Sequence, residues 1–177
     1  MRSLVSSPVR LVVLSAVLLV VLGLGWYLGS PLFIRTTLNE SAPVAAPVAS
    51  PSPARGGPAV AVTTPPATPQ TIAAGELGYV DAIHNGKGKV LLLRAGEGPV
   101  LRFEDVAITN APDVHVYLSP ESGGKWTEGT SLYLGPLKAT NGSFNYPIPP
   151  GTDLTKFKSA VVWCRQFTVL ITWADLR

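Results

Sequence analysis

The chain has one cysteine, Cys164, and two histidines, His84 and His115, among its 177 residues. One cysteine closes no intramolecular bridge, so a disulfide-stapled scaffold is excluded. No C-x-x-C pair or H-E-x-x-H motif is present, and a metal site would have to be gathered from His84, His115, Cys164 and a carboxylate by long-range folding. G-x-S-x-G and a phosphate-cradling glycine loop are also missing, leaving no recognisable catalytic constellation. Charge is scarce too: 14% of residues are charged against 46% apolar, the reverse of a disordered composition. The net charge of +3 arises ahead of residue 75, where Arg2, Arg10, Arg35 and Arg55 face Glu40 alone; the remainder carries ten residues of each sign. A spread basic surface for nucleic acid is therefore argued against.

What the chain does have is a long apolar run. Leu11 to Ile34 is 24 residues without a charge, which as a helix reaches about 36 Å against a hydrocarbon core of about 30 Å. Arg2 and Arg10 precede it, and Trp26 and Tyr27 stand toward its far end, where amphipathic rings favour the interface. The pattern predicts a signal anchor over 11–34, with residues 1–10 cytoplasmic and the rest extracytoplasmic, although Arg35 weakens the asymmetry. The alternative is a cleaved secretory signal and a secreted domain. Such signals have apolar cores of about 7 to 15 residues ending at a small-residue site, whereas the Ala-rich stretch here starts only at Ala42.

Eight prolines lie between Ser41 and Gln70 among Ala, Ser, Thr and Val. Prolines donate no backbone hydrogen bond, and small side chains build no core, so residues 35–74 are expected to form a disordered Pro/Ala-rich linker. Extended at about 3.1 Å per residue, the prolines and their neighbours would make a stalk of up to roughly 90 Å.

Residues 75–177 are expected to fold as an all-β domain, a compact antiparallel sandwich or barrel of seven to eight strands. Val90–Arg94, Val100–Phe103, Val114–Leu118, Ser131–Leu134, Ser143–Tyr146 and Ala160–Trp173 are short runs rich in β-branched and aromatic residues. Asn85-Gly86 and Asn141-Gly142 are read as hairpin turns, Ser119–Thr130 as a long connection, and Asp153–Lys158 as one helical turn capped by Asp153 or Thr152. Glu104 and Asp105, adjacent in a strand-like run, read as a solvated strand end.

Strand alternation sorts the reactive side chains. It places His115 with Tyr117 on the face opposite Val114, Val116 and Leu118, as a surface histidine, and His84 exposed before its turn. Cys164 shares a face with Val162, opposite Trp163, Val161 and Arg165. Two readings of Cys164 stay open: a small buried hydrophobe, or a thiol kept for use, because an exported unpaired cysteine is otherwise a liability.

Several segments together resemble the DM-thirteen domain family. They are Val100-Leu101-Arg102-Phe103-Glu104-Asp105, Thr109 to Ser119, Leu134-Gly135-Pro136-Leu137-Lys138, Gly142 to Pro149, Asp153 to Ser159 and Val161-Val162-Trp163-Cys164-Arg165-Gln166-Phe167. They occur in the family's order across essentially all of 75–177. The resemblance implies an electron-transfer domain, one found beside DOMON domains in animals and as membrane-tethered bacterial proteins. The family's cysteine is thought to act as a bare thiol or as a ligand to a prosthetic group such as haem, and the matching position is Cys164. Two departures stand out. Ala111 replaces the family's usual glycine, which would strain the turn if that position needs positive φ. Ile171-Thr172-Trp173-Ala174 stands where the family usually has Phe-Gly-x-Ala, and the bulky Trp173 could alter a pocket behind Cys164. Trp126, Trp163 and Trp173 could line a haem cavity. The first hypothesis is thus a membrane-held redox module using Cys164, with an extracytoplasmic redox partner. The second is a non-enzymatic binding or structural module with Cys164 buried.

Overall fold

A computed structural model describes residues 8–44 and 69–177. Most of the expected cytoplasmic segment and most of the Pro-rich linker lie outside the described residues. Helix α1 runs from Pro8 to Phe33, 26 residues or about 39 Å, and starts on a proline, whose missing N–H is harmless in a first turn. Its portion Pro8–Ser30 has a mean hydropathy of 2.5 and no residue buried against the rest of the protein. That length and apolarity suit a single-pass membrane span or a signal peptide.

Nine strands follow among the described residues: β1 Thr37–Asn39, β2 Gln70–Glu76, β3 Gly86–Ala95, β4 Gly98–Ile108, β5 Val114–Ser119, β6 Leu132–Pro136, β7 Asn141–Pro147, β8 Ser159–Cys164 and β9 Val169–Asp175. They form a five-stranded sheet in the order β1-β7-β4-β3-β2 and a four-stranded sheet in the order β6-β5-β8-β9. The all-β sandwich expected from the short alternating runs is present. Period-2 alternation turns Val90 and Leu92 of β3, Leu101 and Phe103 of β4, and Phe144 and Tyr146 of β7 into one buried core with Val116, Leu118, Ala160, Val162 and Cys164 of the smaller sheet. Phe103 stacks on Phe144 with centroids 5.3 Å apart, and Tyr146 meets Phe103 edge-on at 5.8 Å. Each fully buried large side chain of this kind contributes about 1.5–3 kcal/mol.

Two local expectations are corrected, and a third, the helical turn, is met. The Asn-Gly pairs do not tip hairpins; Gly86 opens β3 and Asn141-Gly142 opens β7. Glu104 and Asp105 mark no strand end. They sit inside β4, at the irregularity between Phe103 and Val106 opposite β7, where Asp105 takes φ 49° and its N–H donates to Ser143 Oγ at 3.0 Å. A bulge lets a polar pair stand in mid-strand because one residue leaves the ladder. The expected helical turn is a single 3-10 turn, Leu154–Lys156, capped by the Asp153 side chain.

Strands β1 and most of β2 fall within 35–74, and β1 pairs with β7 in parallel, unlike the other, antiparallel pairings. Only residues 34–36 separate α1 from β1, a reach of about 11 Å at most. The chain is then tied down at once. Glu40 accepts from Lys138 Nζ at 2.9 Å and from the Asn145 N–H at 2.7 Å, and Arg102 Nη1 donates to the carbonyls of Glu40 and Ser41 at 3.3 and 3.4 Å. The Pro-rich residues thus connect β1 and β2, opposite edges of one sheet, instead of spacing helix from domain. A three-residue parallel strand has no periodicity of its own, which is why the sequence pattern does not reveal it.

Two tests follow from this clasp. Gly142 has φ 105°, and a Cβ there would collide with the Leu38 carbonyl, so Gly142→Ala should cost more than about 1 kcal/mol in chemical denaturation and release β1. Burial pushes the Glu40 carboxyl up, but the Lys138 and Asn145 hydrogen bonds and the charges of Lys138 and Arg102 outweigh it and hold it below its ordinary 4.5. A depressed folded value means stability present above the unfolded value and lost as pH falls through the lower folded one. Acid titration of the denaturation midpoint should show that loss below about pH 4.5, and Glu40→Gln should flatten it.

Candidate functional site

β8 is flanked by β5 and β9, and its residues alternate between the core and the outer face of the smaller sheet. Cys164 points inward, fully buried, between Val114 of β5 and Val169 of β9 in register. Its Sγ–H donates to the Pro112 carbonyl at 2.9 Å. The loop ahead of β5 is held alongside, because the Arg165 N–H donates to the Asp113 carbonyl at 3.0 Å. Ala111 is unstrained there: among the described non-glycine residues it is Asp105, Asp113 and Thr168 that take positive φ, Asp113 at 61°. The left-handed residue sits two places later, where a short polar side chain tolerates it.

The outer face carries an aromatic cluster. His115 and Trp163 are cross-strand partners, as are Tyr117 with Val161 and Val161 with Trp173. The β5–β6 connection folds over them. Trp126 packs on Tyr117 at 4.5 Å and on Trp163 at 5.0 Å between centroids, and Gly124 lies so close to Leu170 and Trp173 that a Cβ there would clash. Tyr133 of β6 closes the other side, 5.3 Å from Tyr117. Arg165 ties the cluster together. Its Nε donates to Tyr117 Oη at 2.7 Å, its guanidinium lies 4.7 Å from the Tyr133 ring centre, and its Nη2 approaches Glu128 at 3.5 Å. Trp126, Glu128, Trp163, Arg165 and Thr168 border an open cleft of about 340 Å³.

His115 is not a surface histidine. It is 8% exposed, because Tyr133 and Asp113 close over it: Tyr133 Oη lies 2.9 Å from Nδ1 and Asp113 Oδ1 lies 2.6 Å from Nε2. His84 is half-buried and paired with Asp81 at 2.8 Å, a contact that with the His84 and Ile83 N–H groups holds the Asp81 carboxyl down to about 2. The fold keeps His84, His115 and Cys164 apart, and the described residues contain no group of three metal-ligating side chains.

A haem does not fit at Cys164 in this packing. The thiol is enclosed by the core and committed to a carbonyl, whereas an axial ligand must face an apolar slot. The opening that flanks Pro112, about 250 Å³, is bordered by Asn110, Asp113 and Thr140 and does not include Cys164. Trp126, Trp163 and Trp173 share the outer face, across the sheet from the thiol. The alternation of β5 and β8 is enough to locate His115, Tyr117, Trp163 and Arg165 on one side, but Tyr133, Trp126 and Asp113 join them only through tertiary pairing.

The family model described as Electron transfer DM13 matches residues 79–176, a stretch that takes in β3 to β9. No curated protein and no solved structure matches the chain.

Burial raises the Tyr117 hydroxyl above its ordinary 10.0, and the hydrogen bond and charge of Arg165 partly offset that rise. Arg165→Met should therefore push Tyr117 ionisation higher still, read as the difference in ultraviolet alkaline titration from the same variant carrying Tyr117→Phe. Trp126→Ala should uncover Tyr117 and Trp163, costing about 1–3 kcal/mol and shifting the tryptophan emission to the red.

Proposed function

Since the chain belongs to the electron transfer DM13 family, we propose that it is a single-pass membrane protein holding an extracytoplasmic redox domain close against the bilayer. The orientation is supported by Arg2 and Arg10 ahead of the apolar helix. The closeness is supported by the three residues between α1 and β1. Electron exchange involves Cys164 as a guarded thiol, not as a haem ligand, with a partner met at the outer face. The observation that carries this reading is the position of β8: the buried thiol and the aromatic cluster are the two sides of one strand, one residue apart at Cys164 and Trp163. Aromatic rings beside a buried redox group shorten the path by which an electron reaches the surface, and the Arg165–Glu128 pair gives the cleft a charged edge for a partner.

A second reading has its own support. The complete burial of Cys164 and its bond to the Pro112 carbonyl are also what a packing residue in a non-enzymatic binding or structural module would show.

The full chain in lipid nanodiscs separates the two. Cys164 should resist alkylation until denaturant is added, and added haem should give no Soret band. Cys164→Ala should remain folded at a cost of about 1–2 kcal/mol. Under the redox reading that variant loses mediated electron exchange at an electrode. Exchange that persists undiminished in folded Cys164→Ala would sink the thiol's role and leave the packing reading. Protease added to intact cells should remove the domain, and protection would reverse the topology.

A further inference from the structure

Tyr133, His115 and Asp113 form a hydrogen-bonded line at the edge of the aromatic cluster. The Asp113 carboxylate can only accept, so the 2.6 Å contact to His115 Nε2 requires that nitrogen to carry the proton. In the neutral ring Nδ1 is then the acceptor, and the Tyr133 hydroxyl donates to it across 2.9 Å. Each group has one role. The imidazole is 8% exposed while the Tyr133 ring is 44% exposed, so the proton acceptor is shielded from water and the ring can be reached by a partner. Tyr133 is also in contact with Tyr117, which leads on to Trp126 and Trp163.

We propose that Tyr133 is a proton-coupled one-electron site of this domain, an inference that rests on the electron-transfer reading above. In the step, Tyr133 gives one electron to a high-potential oxidised metal complex, which is reduced by one. The phenolic O–H bond breaks, the proton passes to His115 Nδ1, and a neutral tyrosyl radical faces an imidazolium whose second N–H is held by the Asp113 carboxylate. A one-electron reductant such as ascorbate reverses every transfer. Losing an electron without its proton would leave a strongly acidic radical cation. The His115 acceptor removes that obstacle, and the charge of Asp113 stabilises the imidazolium formed. The guanidinium of Arg165 over the same ring disfavours a positive ring and so favours the route in which the proton leaves with the electron.

The test is laser flash-quench oxidation of the full chain in nanodiscs by photogenerated ruthenium(III) tris-bipyridine, followed by transient absorption and electron paramagnetic resonance. The wild type should yield a tyrosyl signal that is lost in Tyr133→Phe and forms more slowly in deuterium oxide. His115→Gln should slow its formation by about tenfold or more and abolish the isotope effect. Asp113→Asn serves as the fold-preserving variant, because asparagine also tolerates the φ of 61° and its amide oxygen still accepts from Nε2; it should slow formation to a lesser degree. A tyrosyl signal of unchanged yield in Tyr133→Phe, or a rate unmoved in both His115→Gln and Asp113→Asn, overturns the proposal. If either occurs while Cys164→Ala abolishes mediated exchange, the site falls and the electron-transfer reading stands. A wild type that gives neither a tyrosyl signal nor electrode exchange removes both.

Discussion

Strand β8 is hydrogen-bonded on both sides, to β5 and to β9, so each of its residues has an assigned face. Ala160, Val162 and Cys164 enter the core between the sheets, and Val161 and Trp163 enter the outer layer beneath the β5–β6 connection. A slip of one residue would exchange the two sets and place an indole and a guanidinium in the core. The thiol's enclosure and the aromatic cluster are therefore one constraint. Neither can be altered without the register that sets the other.

The second organising feature is the clasp around Glu40. Arg102 is 6% exposed, and a buried guanidinium is tolerated only when its donors are matched. Glu104, the Asn145 side chain and the carbonyls of Glu40 and Ser41 supply the acceptors. The segment leaving the helix is thus part of what makes Arg102 a stable member of β4. This attaches the sheet to the chain immediately after the apolar helix.

Much of the fold could be read from alternation. The runs at Val90, Val100, Val114, Ser143 and Ala160 are strands because β-branched and aromatic residues at period two suit a sheet buried on one face. The faces of Cys164, Trp163 and His115 followed from the same period. Exposure did not. His115 lies on the outward side but is covered by Tyr133 and Asp113, because a face that looks outward from one sheet can be roofed by a connection whose course no local pattern records. The Asn-Gly pairs were misplaced for a related reason: glycine satisfies close backbone approach as well as tight turns, and Gly142 is used for the approach of Leu38.

By itself the sequence determined that this chain has an uncharged helix long enough to cross a bilayer, a neutral all-β domain after it, and one cysteine on the same strand face as Val162, opposite Trp163. Composition and period are local quantities, and they suffice for those statements. Only the tertiary structure decided that β1 joins the sheet directly after the helix, that Cys164 is sealed against the Pro112 carbonyl with no slot for a macrocycle, and that Tyr133, His115 and Asp113 meet in one line. These depend on which strands become neighbours and on how the β5–β6 connection crosses a sheet. Pairing between residues far apart in the chain is chosen by the packing of the whole core, not by any short stretch of it.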